Sequence, residues 1–304
     1  MVYGLIAALG WGASAVAATN AARRTGTYIA VLGSQGTGVV VLVLLAVFLH
    51  PPLGAINATT ALGLVAAGLL GLAGYLTFYR ALEYGGAVGL VSAISASYGG
   101  ITTLLAVIVL GEHLSGFGTA GVVLAVAGVA MASARTPSAA ETPPIAAAEP
   151  IVGIAPGPSS TGGLSRAGVP LALASALTYG IGAFLLGDYS ARAGALGSAL
   201  VAHGSSVTAL LLALPLLLGR RKARRASTSG IIWATAAGLT DAVGLLAFSR
   251  GGQSGQVALT AAVSSVFPAI PLVAGLVMFG ERPGRRQLLG VVLITVGLAM
   301  IGLG

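Results

Sequence analysis

The 304-residue chain contains no cysteine, and only seven of its side chains are acidic. Without cysteine it forms no disulfide and offers no thiolate to a metal. Two of the seven acids, Glu141 and Glu149, sit in a proline-rich stretch, and none pair at a spacing that would hold a metal or activate a nucleophile. An enzyme is therefore not expected, and neither is a cofactor. The glycine clusters lack the G-x4-G-K-[ST] pattern of a phosphate-binding loop, which excludes ATP as an energy source. Charged residues make up 7% of the chain, against roughly 25% in soluble domains. So few charges cannot build a water-facing shell around a core of this size.

What fills the sequence instead is apolar and small: 56% hydrophobic residues and 47 glycines. Crossing a bilayer takes about 20 mostly apolar residues. Ten such runs lie near 2–20, 28–49, 60–81, 87–110, 117–134, 166–186, 195–218, 230–249, 256–279 and 286–303. The expected fold is thus all-α, a multi-pass protein whose solvent is the lipid bilayer. The bias toward Ala, Gly, Val, Leu and Arg, with Lys222 the single lysine, fits a GC-rich bacterial genome and hence a bacterial cell membrane.

Between spans five and six runs "RTPSAAETPPIAAAEPIVGIAPGPSSTGGLSR", with six of the 13 prolines. Such a composition cannot bury enough apolar surface to offset the entropy of ordering it. The chain is therefore expected to divide into a first unit over 1–134, a linker over 135–165 and a second unit over 166–304. Positive charge sets orientation. Loops that follow odd-numbered spans carry 13 of the 15 basic residues, leaving Arg192 and Arg250 on the other side. That bias places those loops in the cytoplasm and both termini outside. It also explains the cluster "RRKARR" as a topology determinant, so no nucleic-acid partner is expected.

The two units repeat one another. At a shift of 169 residues, "GEHLSGFGTAGVVLAVAGVAMA" (111–132) falls on "GERPGRRQLLGVVLITVGLAMI" (280–301). Tyr79 falls on Phe248, Gly86 on Gly255, Ser95 on Ser264 and Tyr98 on Phe267. At a shift of 168, Trp11-Gly12 falls on Tyr179-Gly180. Five spans per unit is an odd number, so the second copy would enter the membrane with opposite polarity. Such inverted repeats are common in secondary transporters, whose substrate site lies at mid-depth between the halves.

Ten spans in two units, each ending its fourth span in Gly-Glu and continuing into a G-x6-G helix, resemble the EamA family of the drug/metabolite transporter superfamily. Trp11-Gly12 and Phe267-Pro268 fit the same pattern. The resemblance implies a transporter that moves a small metabolite (an amino acid, a purine-like compound or a cation) by alternating access. Export is the implied direction, with proton coupling as an option and a monomer or homodimer as the working unit. Two departures stand out. Span four has Tyr98-Gly99-Gly100 where the family usually has proline, leaving the kink of span nine alone, and "GSQGTG" replaces an arginine early in span two. A channel and a non-transporting scaffold or lipid scramblase are the alternatives, and the inverted repeat argues against the channel.

The candidate site residues follow from depth. Asp241 lies about eleven residues into span eight, roughly 16 Å in at 1.5 Å per residue, near the centre of a ~30 Å core. Ala234, Ala237, Gly238 and Gly244 share its helix face, so it points into the bundle; exposure to lipid would cost about 2.5 kcal/mol or more. It is either a proton carrier, a partner for a substrate cation, or a structural carboxyl bonded to a hydroxyl of span one or nine. His203, beside Ser205 and Ser206 in span seven, is a polar interhelical contact or a proton-handling group. Gln35 and Ser34 stand at the same height in span two. Among the aromatics Trp11, Tyr75, Tyr79, Tyr98, Tyr179 and Phe267, the mid-depth Trp11 and Tyr98 are the first candidates to line a cavity, with Tyr79 next. Gly121/Gly128 and Gly290/Gly297 are spaced to pack spans five and ten. Glu112 and Glu281 read as turn anchors at the membrane faces, or as gates paired with an arginine or histidine.

Overall fold

A computed structural model describes residues 1–49, 56–84, 87–111, 115–132, 168–218 and 227–303. The expected linker, Glu112 and the basic cluster at 220–225 lie outside these residues. Every regular element among them is an α-helix: α1 (Val2–Thr25), α2 (Thr27–Leu49), α3 (Ala58–Glu83), α4 (Val88–Ser95), α5 (Tyr98–Leu110), α6 (Gly116–Ala132), α7 (Gly168–Ala193), α8 (Ala195–Leu218), α9 (Thr228–Gln253), α10 (Val257–Ser264), α11 (Ala269–Met278) and α12 (Arg285–Leu303). With α4–α5 and α10–α11 each taken as one broken span, eight segments are long and apolar enough to cross a membrane.

Helix boundaries recur between the two units. Gly26 ends α1 at φ 82°, and Gly194 joins α7 to α8 at φ 75°. Gly111 and Gly280, the glycines of the two Gly-Glu pairs, have φ 69° and 64°. A left-handed residue stops a helix within one position, and glycine holds it without a Cβ clash. Asn57 caps α3 by accepting from Thr60 N at 2.9 Å, and Ser227 caps α9 by accepting from Gly230 N at 3.1 Å.

The break of α4–α5 departs from the expectation that only span nine would kink. Both spans break. Between α10 and α11 the break coincides with Pro268; between α4 and α5 there is no proline. There the ladder tightens into i→i−3 bonds, with Ser97 N donating to Ile94 O and Gly99 N to Ala96 O, both at 3.1 Å. The cause is a close crossing. A Cβ on Gly99 would lie 2.8 Å from Ser265 Cβ and 3.0 Å from Ala261 O, so α5 rides directly on α10. Tyr98 and Ser264 lock the crossing through their hydroxyls at 2.5 Å.

Many large apolar residues point outward, and small residues line much of the helix packing. Leu216 is 86% exposed and Phe48 76%, whereas α1 packs through Ala7, Gly10, Ser14, Ala17 and Ala21. In lipid no hydrophobic drive separates inside from outside, so close backbone approach holds helices together. α1 lies along α9, α3 along α7, and α6 along α12. In the last pair Gly121 faces Gly297 and Gly128 faces Gly290, each glycine leaving room for the partner's backbone.

Candidate functional site

Five helices and both broken spans meet around one cavity of about 120 Å3. Its walls come from α1 (Trp11, Ser14), α3 (Tyr75, Phe78, Tyr79), α7 (Tyr179), α8 (His203, Ser206) and α9 (Asp241, Leu245, Phe248). Tyr98 and Phe267 reach it from the two breaks. Small residues open the space: Gly68 and Gly71 of α3 and Gly182 of α7 line it without filling it.

Of the residues singled out from sequence, Asp241, Trp11, Tyr98, His203 and Tyr79 line this cavity. Gln35 does not. It stands behind Asp241, fully buried, with its amide nitrogen 3.5 Å from the carboxylate.

The polar centre is built on Asp241, which is 2% exposed. Tyr75 donates its hydroxyl to the carboxylate, 2.8 Å from each oxygen. His203 Nε2 stands 3.2 Å from Oδ2, with both side chains 3% exposed. The hydroxyl that ties Asp241 thus comes from α3, and the expected tie to span one or nine is replaced by Tyr75. The reason is rotational: α9 turns its Asp241 face between α2, α3 and α8, while α1 meets α9 through Gly10 and through Ser14, which donates to Ala237 O at 3.0 Å.

Aromatic rings wall the rest. Tyr75 meets Tyr179 edge-on with centroids 5.3 Å apart, Trp11 meets Tyr98 edge-on at 5.9 Å, and Trp11 lies 5.4 Å from Phe248. Two rings sit in matched seats. The indole of Trp11 rests where a Cβ on Gly244 would fall, 2.7 Å from Cδ1, and Tyr179 occupies the same position over Gly74 at 2.5 Å.

Tyr75, Tyr179 and Phe248 had weaker signals in the sequence than their positions deserve. Tyr75 and Tyr79 lie one helical turn apart, on the stripe of α3 that also carries Gly68 and Gly71. Aromatics flanking a glycine face deep in a span were the available cue.

A second polar cluster closes one membrane face. Glu281, in the turn before α12, accepts from Val88 N at 2.6 Å and from Gly89 N at 3.4 Å, capping α4. Arg23 of α1 lies 3.8 Å from the same carboxylate, and its guanidinium covers the Phe279 ring at 5.1 Å. Burial pushes the Glu281 carboxyl up, opposed by the two backbone donors and by Arg23. The α4 N-terminus needs an acceptor at this place, which an amide oxygen can supply as well as a carboxylate. Glu281→Gln is therefore expected to keep near-native thermal stability in detergent, while Glu281→Ala loses about 1–3 kcal/mol by uncapping α4. Equal losses in the two variants would show that the Arg23 ion pair carries the joint.

On the same face Glu83 accepts from Thr27 N at 3.0 Å. At the far end of the bundle Gln253 accepts from Ala195 N at 3.3 Å in the matching place.

Comparison with known proteins agrees with this architecture. The EamA-like transporter family matches the chain over residues 1–134 and 166–303. The chain belongs to that family. As an EamA-like protein it is a multi-pass membrane protein of the drug/metabolite transporter type. A protein solved by crystallography has the same fold, with a TM-score of 0.69 over 99% of this chain and 95% of that one, at 16% identity. No curated protein matches the chain. Among the described residues of this EamA-like chain, no group of three or more His, Asp or Glu side chains could hold a metal ion.

Proposed function

We propose that the chain is a ten-span secondary transporter that exports a small organic amine or other monocation in exchange for protons, by alternating access. The observation that carries this reading is the cavity itself. One buried carboxylate stands among eight aromatic side chains, and no lysine or arginine is among the described residues that line the walls. Such a site favours a cation over an anion: an ammonium gains the carboxylate and ring faces, each desolvated ring contact adding up to about 2 kcal/mol. A phosphate or carboxylate substrate would find no fixed positive partner.

Adding α6 and α12 to the eight long apolar segments supplies the ten spans. The inverted relation is supported by the exchange of contacts between units: α1 with α9 mirrors α7 with α3, and the α6–α12 pair maps onto itself. Gly12 against Ile270 and Gly180 against Ile101 repeat the same seat. Two equivalent halves around one cavity allow opening to either side at similar energy. The distribution of arginines supports a cytoplasmic position for the Arg23–Glu281 joint and both termini outside. A cysteine introduced at Lys222 is then expected to resist membrane-impermeant thiol reagents in intact cells, and external labelling would reverse the orientation.

The test of function is flux in liposomes holding the purified full chain. Tyramine, a tetraalkylammonium, phenylalanine and adenine are supplied with and without a pH gradient. Accumulation of the two cations, lost when an ionophore collapses the gradient, is expected. Uptake of phenylalanine or adenine in preference to both cations would overturn the amine reading. Unsaturable flux that is indifferent to pH would point to a channel.

A further inference from the structure

We propose that His203, and not the carboxyl of Asp241, is the group that releases the proton when the cation binds. This rests on the amine reading above and specifies its coupling step.

The polar groups around Asp241 come from three helices, and two of them, Tyr75 and Gln35, donate to it. Tyr75 of α3 presents its hydroxyl to both oxygens at 2.8 Å, His203 of α8 stands at 3.2 Å, and Gln35 of α2 places its amide nitrogen at 3.5 Å. An ionised carboxylate is acceptor-only, and this arrangement satisfies it. The other titratable groups lining the cavity are phenols, Tyr79 of α3, Tyr98 of α5 and Tyr179 of α7; Tyr79 donates to Ser34 Oγ at 3.1 Å and Tyr98 pairs with Ser264. The one group here able to alternate between cation and neutral donor near neutral pH is the imidazole. Its Nε2 makes no hydrogen bond and has the Asp241 carboxylate 3.2 Å away as its charge neighbour.

The ring is also held. A Cβ on Gly38 would lie 2.6 Å from His203 Cδ2 and 2.7 Å from Nε2, so the imidazole edge fills the notch left by that glycine. His203 and Gln35 occupy corresponding places in the two units, 168 residues apart. One position in the pair keeps a fixed neutral donor toward Asp241; the other places an imidazole beside it.

The exchange balances. In the proton-loaded state the imidazolium of His203 neutralises Asp241. An ammonium entering the cavity takes over the carboxylate, and the imidazolium of His203 gives one ring proton to water and stays as a neutral ring. One proton leaves for each monovalent cation that binds, and net site charge is the same in both loaded states. This matters in a membrane interior, where a lone buried charge costs several kcal/mol and a compensated pair does not. Neither loaded form has to carry an uncompensated charge past the midplane, whereas the empty, deprotonated form would. That asymmetry is what forbids a leak.

The test is the pH dependence of tyramine binding to the detergent-solubilised full chain. One proton competing with one cation raises the wild-type apparent Kd by about tenfold per unit of acidification. In His203→Gln, which retains a donor toward Asp241, the Kd is expected to change less than about twofold over about pH 6–8, the range where histidine titrates. A slope retained by that variant in the same range would overturn the assignment and return the proton to Asp241. A second measurement needs no variant. Infrared difference spectra of wild type on tyramine addition are expected to lose imidazolium bands. Loss of a protonated-carboxyl stretch instead would overturn the proposal. Absence of any tyramine binding by wild type defeats the amine reading itself, which keeps the two failures apart.

Discussion

Asp241→Asn is expected to remove cation transport while leaving a folded protein. Asparagine has nearly the same shape, still accepts from Tyr75 through its one carbonyl oxygen, and sits on a helix face of Ala234, Ala237, Gly238 and Gly244 that needs no charge to pack. What is lost is the one acidic side chain among the described residues that line the cavity. Truncating one partner of a buried charge pair costs about 2 kcal/mol or more, which is about a 30-fold loss of apparent affinity. Because the same carboxylate faces the cation in every loaded state, counterflow exchange and pH-driven accumulation are expected to fall together. Asp241→Glu would restore part of both, since it returns the charge one methylene out of place. The measurements are tyramine exchange and accumulation in liposomes, alongside gel-filtration profiles of each variant. Normal transport by Asp241→Asn would reduce the carboxylate to a structural tie and move attention to Trp11 and Tyr98, which share the cavity.

Gly290→Leu is expected to abolish folded protein altogether, the largest structural effect of any single change considered. A Cβ at Gly290 would stand 2.4 Å from Ala132 N and 2.7 Å from Gly128 O, and one at Gly128 would stand 2.6 Å from Ile294 N. All these neighbours are backbone atoms, which no rotamer change can move aside. α6 and α12 would have to separate, and since lipid supplies no hydrophobic drive to rejoin them, the pair is lost rather than loosened. Gly290→Ala is expected to be milder, costing about 1–3 kcal/mol as overpacked sites do. Gly36 is the control, because a Cβ there meets nothing within 4 Å; Gly36→Ala should be neutral or slightly stabilising, since alanine favours helix by about 1 kcal/mol over glycine. Thermal unfolding in detergent ranks the three. A monodisperse Gly290→Leu protein with wild-type stability would show that α6 and α12 do not depend on this seam.

Much of the architecture was legible without coordinates, because its signals are local. Long apolar runs set the helices, and paired glycines at 121/128 and 290/297 marked the face on which α6 and α12 meet. Asp241 announced itself by depth alone: counting residues from the start of a span measures distance into the bilayer. Its neighbours could not be counted in that way. Tyr75 and Tyr79 looked alike in the sequence, as aromatics one turn apart in one span. Yet the Tyr75 hydroxyl binds Asp241 while Tyr79 binds Ser34. The break between α4 and α5 was invisible for a similar reason. It comes from Gly99 meeting α10, a contact across more than a hundred residues, and not from a proline in its own span.

What the amino-acid sequence determined by itself was the class of molecule, a chain of long apolar helices suited to a bilayer, with an internal similarity at a shift of 169 residues and one acid deep inside an apolar run. These follow from periodicity and composition, which act over a single helix and need no partner. Tertiary structure alone decided which donors converge on Asp241, which rings wall the cavity and that Arg23 meets Glu281. Each of those contacts depends on the rotation of one helix against another, and in a chain packed on glycine and alanine that rotation is set by backbone-to-backbone fit, which no single helix encodes.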